Sequence, residues 1–152
     1  MHLRSYQPPD QPACLAIFDS NTPPFFDPGE RSDFAAFLAD VRWPYFVVER
    51  PGAGDVNEIV ACGGYFVRPG TTEAILVWGM VRRDLHGGGI GTYLTRERLE
   101  RLAQQGVASV RIVTSQYTRA FYERLGFAEQ NLEPDGFGPG LHKYTLVLRL
   151  SN

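Results

Sequence analysis

Apolar positions along the chain follow two rhythms, and each switch between them marks an element. Leu3 to Tyr6 reads as a short opening strand. Asp10 to Ser20 reads as a helix whose apolar side carries Cys14, Leu15, Ile17 and Phe18, stopped by Asn21-Thr22-Pro23-Pro24. A second helix is predicted from about Glu30 to Val41, where Phe34, Phe37, Leu38 and Val41 share one face.

The rhythm then shortens. Tyr45 to Glu49 is β-branched and aromatic, and Glu58 to Arg68 continues in that style after a polar turn. Gly63 and Gly64 inside the second of these strands predict a bulge or a close approach. Glu73 to Val81 is apolar almost throughout, which predicts burial on both faces. Arg82 to Gly88 is a loop, and a helix follows from about Gly89 to Gln105, with Ile90, Tyr93, Leu94, Leu99, Leu102 and Ala103 in a stripe and Gly106 as its stop. Val107 to Thr114 is a strand, Gln116 to Leu125 a short helix, and His142 to Leu150 an alternating closing strand. Asp135-Gly136-Phe137-Gly138-Pro139-Gly140 reads as a shaped loop. The order β-α-α-β-β-β-α-β-α-β predicts one α/β (α+β) domain over residues 1–152, with a mixed, mainly antiparallel central sheet and helices on both faces.

Composition narrows the function by exclusion. With 152 residues and a formal charge of −2, the chain has no general field for nucleic acid or anionic lipid, so neither partner is expected. Cys14 and Cys62 lie far apart, and His2, His86 and His142 supply no metal-ligand spacing, so no metal is expected. The N-terminus lacks the pattern of a secretory signal, and no run reaches the roughly 18 apolar residues of a membrane span. A cytoplasmic location is the expectation.

The chemistry concentrates where the apolar strand ends: Val81-Arg82-Arg83-Asp84-Leu85-His86-Gly87-Gly88-Gly89-Ile90-Gly91-Thr92. The first-turn amides of a helix lack intrahelical partners and lie at the positive end of its dipole. Glycines let an anion approach them. Residues Gly87 to Thr92 therefore predict a pyrophosphate site. The phosphate loop GxxxxGK followed by Ser or Thr is absent, and the dinucleotide GxGxxG spacing is not met. His86-Gly87-Gly88-Gly89 matches an esterase oxyanion loop, but no GxSxG nucleophile elbow accompanies it.

The loop resembles the pyrophosphate motif of the GNAT acetyltransferases: Gln or Arg, two variable positions, Gly, one variable position, then Gly or Ala. His86 stands where that motif has Gln or Arg. A second stretch, Thr118-Arg119-Ala120-Phe121-Tyr122-Glu123-Arg124-Leu125-Gly126-Phe127, is similar to the family's Ala/Thr-x-x-Phe-Tyr-Glu-x-x-Gly-Phe signature and follows the loop by roughly 30 residues. The resemblance implies acetyl-CoA as co-substrate. It assigns Gly79, Met80 and Val81 to the pantetheine arm and thioester carbonyl, and His86, Gly87, Gly88, Gly89, Ile90, Gly91 and Thr92 to the phosphates. Ser115 takes the place of a frequent Asn. Tyr122 becomes the acid for the departing thiolate, although periodicity alone makes it a core aromatic.

A base is harder to place. Glu73 has the parity of Ile75, Val77 and Gly79, and some members of the family it resembles keep a carboxylate on this strand two residues nearer the loop, where Ile75 stands. Glu73 is the candidate, with water-mediated deprotonation as the alternative. The acceptor is expected between the first two helices and the C-terminal hairpin, against Phe26, Trp78 and Asp135, an aromatic pocket with a carboxylate that suits a cationic amine. The reaction expected is N-acetylation of a primary amine of a small molecule or peptide, by direct attack in a ternary complex. A non-catalytic acyl-CoA-binding regulatory module is the alternative, and a homodimer fits either. A carboxylate-bearing acyl donor would need a basic residue beside the pantetheine end, and the sequence by itself places none there.

Overall fold

The computed structural model describes residues 1–150. Seven strands form one sheet: β1 (His2–Ser5), β2 (Tyr45–Pro51), β3 (Asn57–Val67), β4 (Glu73–Val81), β5 (Ser109–Thr114), β6 (Ala128–Gly138) and β7 (Leu141–Arg149). Their spatial order is β1-β2-β3-β4-β5-β7-β6, antiparallel throughout except for the parallel pair β4–β5. The helices are α1 (Gln11–Ser20), α2 (Arg31–Ala39), α3 (Ile90–Gln104) and α4 (Arg119–Arg124). This is the mixed, mainly antiparallel sheet that the rhythm predicts, with one strand more.

The additional strand is β6. Its first nine residues are solvent-exposed, so no face of it needs to be apolar and no alternation marks it. It adds to β7 through main-chain pairing from Ala128↔Val147 to Gly138↔Leu141. Asp135 and its neighbours, expected in a loop, lie in an irregular part of this edge strand.

Two cores lie on opposite faces of the sheet. Val48, Ala61, Leu76, Leu94, Leu102, Val110, Tyr122 and Leu146 belong to the face covered by α3 and α4. Cys14, Ile17, Phe18, Phe34, Leu38, Val47, Cys62 and Met80 belong to the face covered by α1 and α2. The odd and even residues of β2 divide cleanly between them, as a pleat requires.

β4 breaks that rule. Ala74 and Leu76 point to the α3 face, yet Met80 and Trp78 join the α1/α2 core. The cause is a bulge: Cys62 pairs with Met80 and Gly64 with Val77, so Gly63 alone opposes both Trp78 and Gly79. Trp78 is the extra residue and carries a φ of 45°, a costly conformation for a bulky side chain. The Tyr45 hydroxyl holds it by donating to the Trp78 carbonyl at 2.7 Å. Tyr45 is buried, so Tyr45→Phe leaves that carbonyl without its partner. The variant is expected to lose about 1–3 kcal/mol, read as a fall of several degrees in Tm.

The bulge also corrects the parity that placed Glu73 beside Gly79. Residues 73, 75 and 77 share one face, and Gly79 and Val81 have been turned to the other. Burial on both faces of β4 is corrected too: Ile75, Val77, Trp78 and Gly79 are only partly buried.

Candidate active site

β4 and β5 pair over three positions only, Glu73↔Ser109, Ala74↔Val110 and Ile75↔Arg111. β4 continues to Val81 and β5 to Thr114 without further pairing between them. β5 stays bound to β7 along its whole length, so it is β4 that parts from it. A cavity of about 700 Å³ occupies the gap, bounded by Ile75 to Val81 on one side and Ile112 to Ser115 on the other. The main chain lining such a gap offers unpaired N–H and C=O groups, which favour an extended ligand carrying amides of its own.

The glycine loop closes one end. Gly87 (φ 82°) and Gly89 (φ 90°) adopt left-handed conformations that other residues reach only with strain, and Gly89 is the N-cap of α3. The first helical hydrogen bond runs from Tyr93 N to the Gly89 carbonyl at 3.0 Å, so the amides of Gly89 to Thr92 precede the helical ladder. Gly87, Gly89, Gly91 and Thr92 line the cavity, with Gly79, Met80, Val81 and Ser115. Gly88 and Ile90 do not: Gly88 N donates to the Leu85 carbonyl, and Ile90 is buried in the α3-face core. His86 lines the cavity, but its Nε2 donates to the Val81 carbonyl at 2.9 Å and its ring meets Phe25 edge-on, 4.9 Å between centroids. The imidazole thus secures the loop to the end of β4. Asn21, the C-cap of α1, also donates to the Val81 carbonyl at 2.9 Å and ties that helix end to β4.

Tyr122 stands in the wall beside Thr95, Arg98 and Phe121, buried, its ring edge-on to Phe121 and Phe127. Both motifs therefore converge on one cavity, although they lie in α3 and α4. Ser115 is buried beneath α4, and its Oγ accepts from Tyr117 N at 3.2 Å.

Glu73 is not in the cavity. It sits at the closed end of the gap, paired with Arg68 at 3.0 Å and Arg111 at 3.6 Å. The hydrogen bond from Arg68 is the main cause that holds its carboxyl below the usual range, which makes it a poorer proton acceptor. Asp135 is outside as well. Its φ is 57°, and its Oδ1 accepts from Gly140 N at 2.7 Å, so it shapes the β6–β7 hairpin. Phe26 and Trp78 do line the cavity, 6.4 Å apart between ring centroids, with Phe25, Tyr117 and Phe137 alongside.

The carboxylate that reaches this aromatic end is Glu30, whose place at the start of a helix gives no sign of it in the sequence. It closes a capping box in Asp27-Pro28-Gly29-Glu30, its Oε2 accepting from Asp27 N at 2.9 Å. Burial pushes its pKa up. Asp27 and Asp33 add to that rise, while the hydrogen bond from Asp27 N and the charge of Lys143 oppose it. Arg98 was missed too. It occupies a four-residue series with Ile90, Leu94 and Leu102 on the buried side of α3, and a charge in such a series was the available clue.

A cleft with free helix-terminal amides at one end, an open strand edge along its length and a phenol and a carboxylate farther in fits an extended, phosphate-bearing thioester. Comparison with known proteins agrees with this class. The profile of the Acetyltransferase (GNAT) family matches residues 14–127. The chain belongs to that family, and acetyl transfer from acetyl-CoA is its general activity. The ribosomal-protein-S18-alanine N-acetyltransferase from Escherichia coli is similar in structure, with a TM-score of 0.79 and 22% identity over 99% of this chain and 94% of that chain. Ard1 from Thermoplasma volcanium gives 0.78 and 18% over 99% and 98%. An aminoglycoside 6'-N-acetyltransferase complexed with coenzyme A gives 0.75 and 14% over 98% and 97%. At these identities the likeness is one of fold. A search of curated protein sequences finds no match. Among the described residues, no cluster of three His, Cys, Asp or Glu is placed to hold a metal ion.

Proposed function

We propose that the protein is an N-acetyltransferase acting on a primary amine carried by an apolar or aromatic group, with Glu30 as base and Tyr122 as acid. The observation that carries this reading is one shared cavity, whose walls hold the glycine loop, Tyr122 and Glu30 together with the rings of Phe25, Phe26, Trp78, Tyr117 and Phe137. An ammonium near pKa 10 must lose a proton before it attacks. A desolvated carboxylate lowers the cost of bringing that cation in and accepts the proton, directly or through water. The amine nitrogen then attacks the thioester carbon. A C–N bond forms, the C–S bond breaks, and the electron pair leaves on sulfur. Tyr122 gives its proton to that sulfur and recovers one from the new amide nitrogen. Acetamide, free thiol and one released proton balance the reaction. Main-chain N–H groups at Gly79 to Val81 are suited to the carbonyl oxygen. A small-molecule or peptide amine satisfies this pocket equally. The cytoplasm suits such a reaction, and a homodimer remains compatible with it.

Turnover of an amine panel by wild type and Glu30→Gln, across pH, tests the reading. A carboxyl whose pKa is raised loses its charge at higher pH than an exposed one. The acid-side fall of kcat/KM in wild type is therefore expected above the ordinary glutamate value of about 4.3. Glu30→Gln is expected to lose about 10²-fold in kcat and to abolish that limb. Glu30 faces Asp27, Asp33 and Lys143, so a limb carried by one of those groups would persist in the variant. Unchanged turnover in Glu30→Gln would remove it as base, and binding of acetyl-CoA without turnover of any amine would favour the regulatory module.

A further inference from the structure

Arg98 lies in the interior, 1% exposed, where α3 crosses the bulge of β4. It has one hydrogen bond, from Nη1 to the Gly64 carbonyl at 3.1 Å, and its Nε has no partner. Among the described residues no carboxylate pairs with it. The fold makes room for it deliberately. A Cβ on Gly63 would come within 3.1 Å of its Nη1, and one on Gly79 within 3.0 Å of its Nη2. Two glycines on neighbouring strands therefore form the seat of one guanidinium. Burial lowers its hold on its proton, and Tyr122, Tyr45 and Cys62, all uncharged when protonated, are the groups that restore it.

Buried charges are almost always paired, since an unpaired one costs several kcal/mol. Here no compensating charge stands beside it among the described residues, while the guanidinium lines the donor cavity together with Gly79 and Tyr122. Resting on the reading of that cavity as the acyl-CoA site, we infer that Arg98 is the built-in counter-charge for negative charge at the thioester end of the donor. That charge has two sources. It develops on the carbonyl oxygen and sulfur during acetyl transfer, or it belongs to a carboxylate on a longer acyl chain. At 1% exposure the guanidinium acts mainly through its field and through Tyr122, so it is a positioning and electrostatic residue, not a proton donor.

The test compares wild type with Arg98→Met and Arg98→Lys. Methionine fills the space without charge, and such replacements of buried charge are commonly tolerated. Should it fail to fold, lysine still reports, because it keeps the charge and loses the planar fit to the glycine seat. Three readouts are taken: the thiol titration of bound coenzyme A by its thiolate absorbance, Kd for acetyl-CoA and succinyl-CoA, and kcat. In wild type the bound thiol is expected to ionise at lower pH than in Arg98→Met. With acetyl-CoA, Arg98→Met should lose kcat about 10²-fold while Kd changes less than about threefold, and lysine should restore part of it. If the source is instead a permanent carboxylate, wild type binds succinyl-CoA more tightly than acetyl-CoA, and Arg98→Met loses that preference alone. Identical thiol titrations, an unchanged acyl preference and unchanged kcat in Arg98→Met would overturn the inference while leaving the acetyltransferase reading intact. Absence of coenzyme A binding by folded wild type would overturn both.

Discussion

Thr92→Glu is expected to abolish acetyl-CoA binding without weakening the fold. Thr92 is in the first turn of α3 and lines the cavity. A carboxylate there is favoured by the helix dipole by about 0.3–1 kcal/mol, so Tm should hold or rise slightly. The same carboxylate occupies the field intended for the pyrophosphate and repels it across a few ångströms. A loss of at least about a hundredfold in Kd, close to 2.7 kcal/mol, is expected by calorimetry, with Thr92→Gln as the uncharged control of the same length. This variant is cleaner than substituting Gly89, whose φ of 90° would strain any other residue and confuse folding with binding. Retained affinity in a folded Thr92→Glu protein would place the phosphates elsewhere.

Tyr122→Phe is the second large effect. The ring meets Phe121 at 5.0 Å and Phe127 at 5.6 Å between centroids, contacts that phenylalanine keeps. The hydroxyl alone is removed, so affinity for acetyl-CoA should stay within about twofold. Loss of a proton donor to the departing sulfur is expected to reduce kcat by about 10²–10³-fold. The reduction should shrink with acyl donors whose thiol leaves more readily, since those need less help. A rise in Kd together with a fall in kcat would instead make Tyr122 a packing residue.

Most of the framework was legible because its residues alternate between two covered faces: Tyr45 to Val48 and Tyr144 to Leu148 declare strands by their own pattern. β6 was not, because an exposed edge strand bonds through its backbone and leaves its side chains free to vary. The donor half of the site was legible for a related reason. Left-handed turns and free helix amides demand glycines in a short continuous stretch, and Gly87 to Gly91 supplies them. The acceptor half is assembled from distant segments, and there spacing misled. Counting twos along β4 puts Glu73 beside Gly79 in the cleft, a count that the bulge at Trp78 invalidates. Glu30 looked like the start of a helix and does start one, yet the same carboxyl faces the cavity. Asp135 lay near the right aromatic residues in sequence but is spent on its own hairpin.

The bulge in β4 also means that this strand is specified by its length. Ala74 and Leu76 serve one core, Trp78 and Met80 the other, and the two halves are in phase with the sheet only because one residue is surplus between them. If β4 ran on in plain alternation with its residue count unchanged, everything beyond Val77 would be turned to the opposite face. Met80 would leave the α1/α2 core, and Gly79 would turn away from Arg98. Side chains here can be exchanged one at a time, whereas a one-residue insertion between Ile75 and Val81 would need a second irregularity to keep both cores filled.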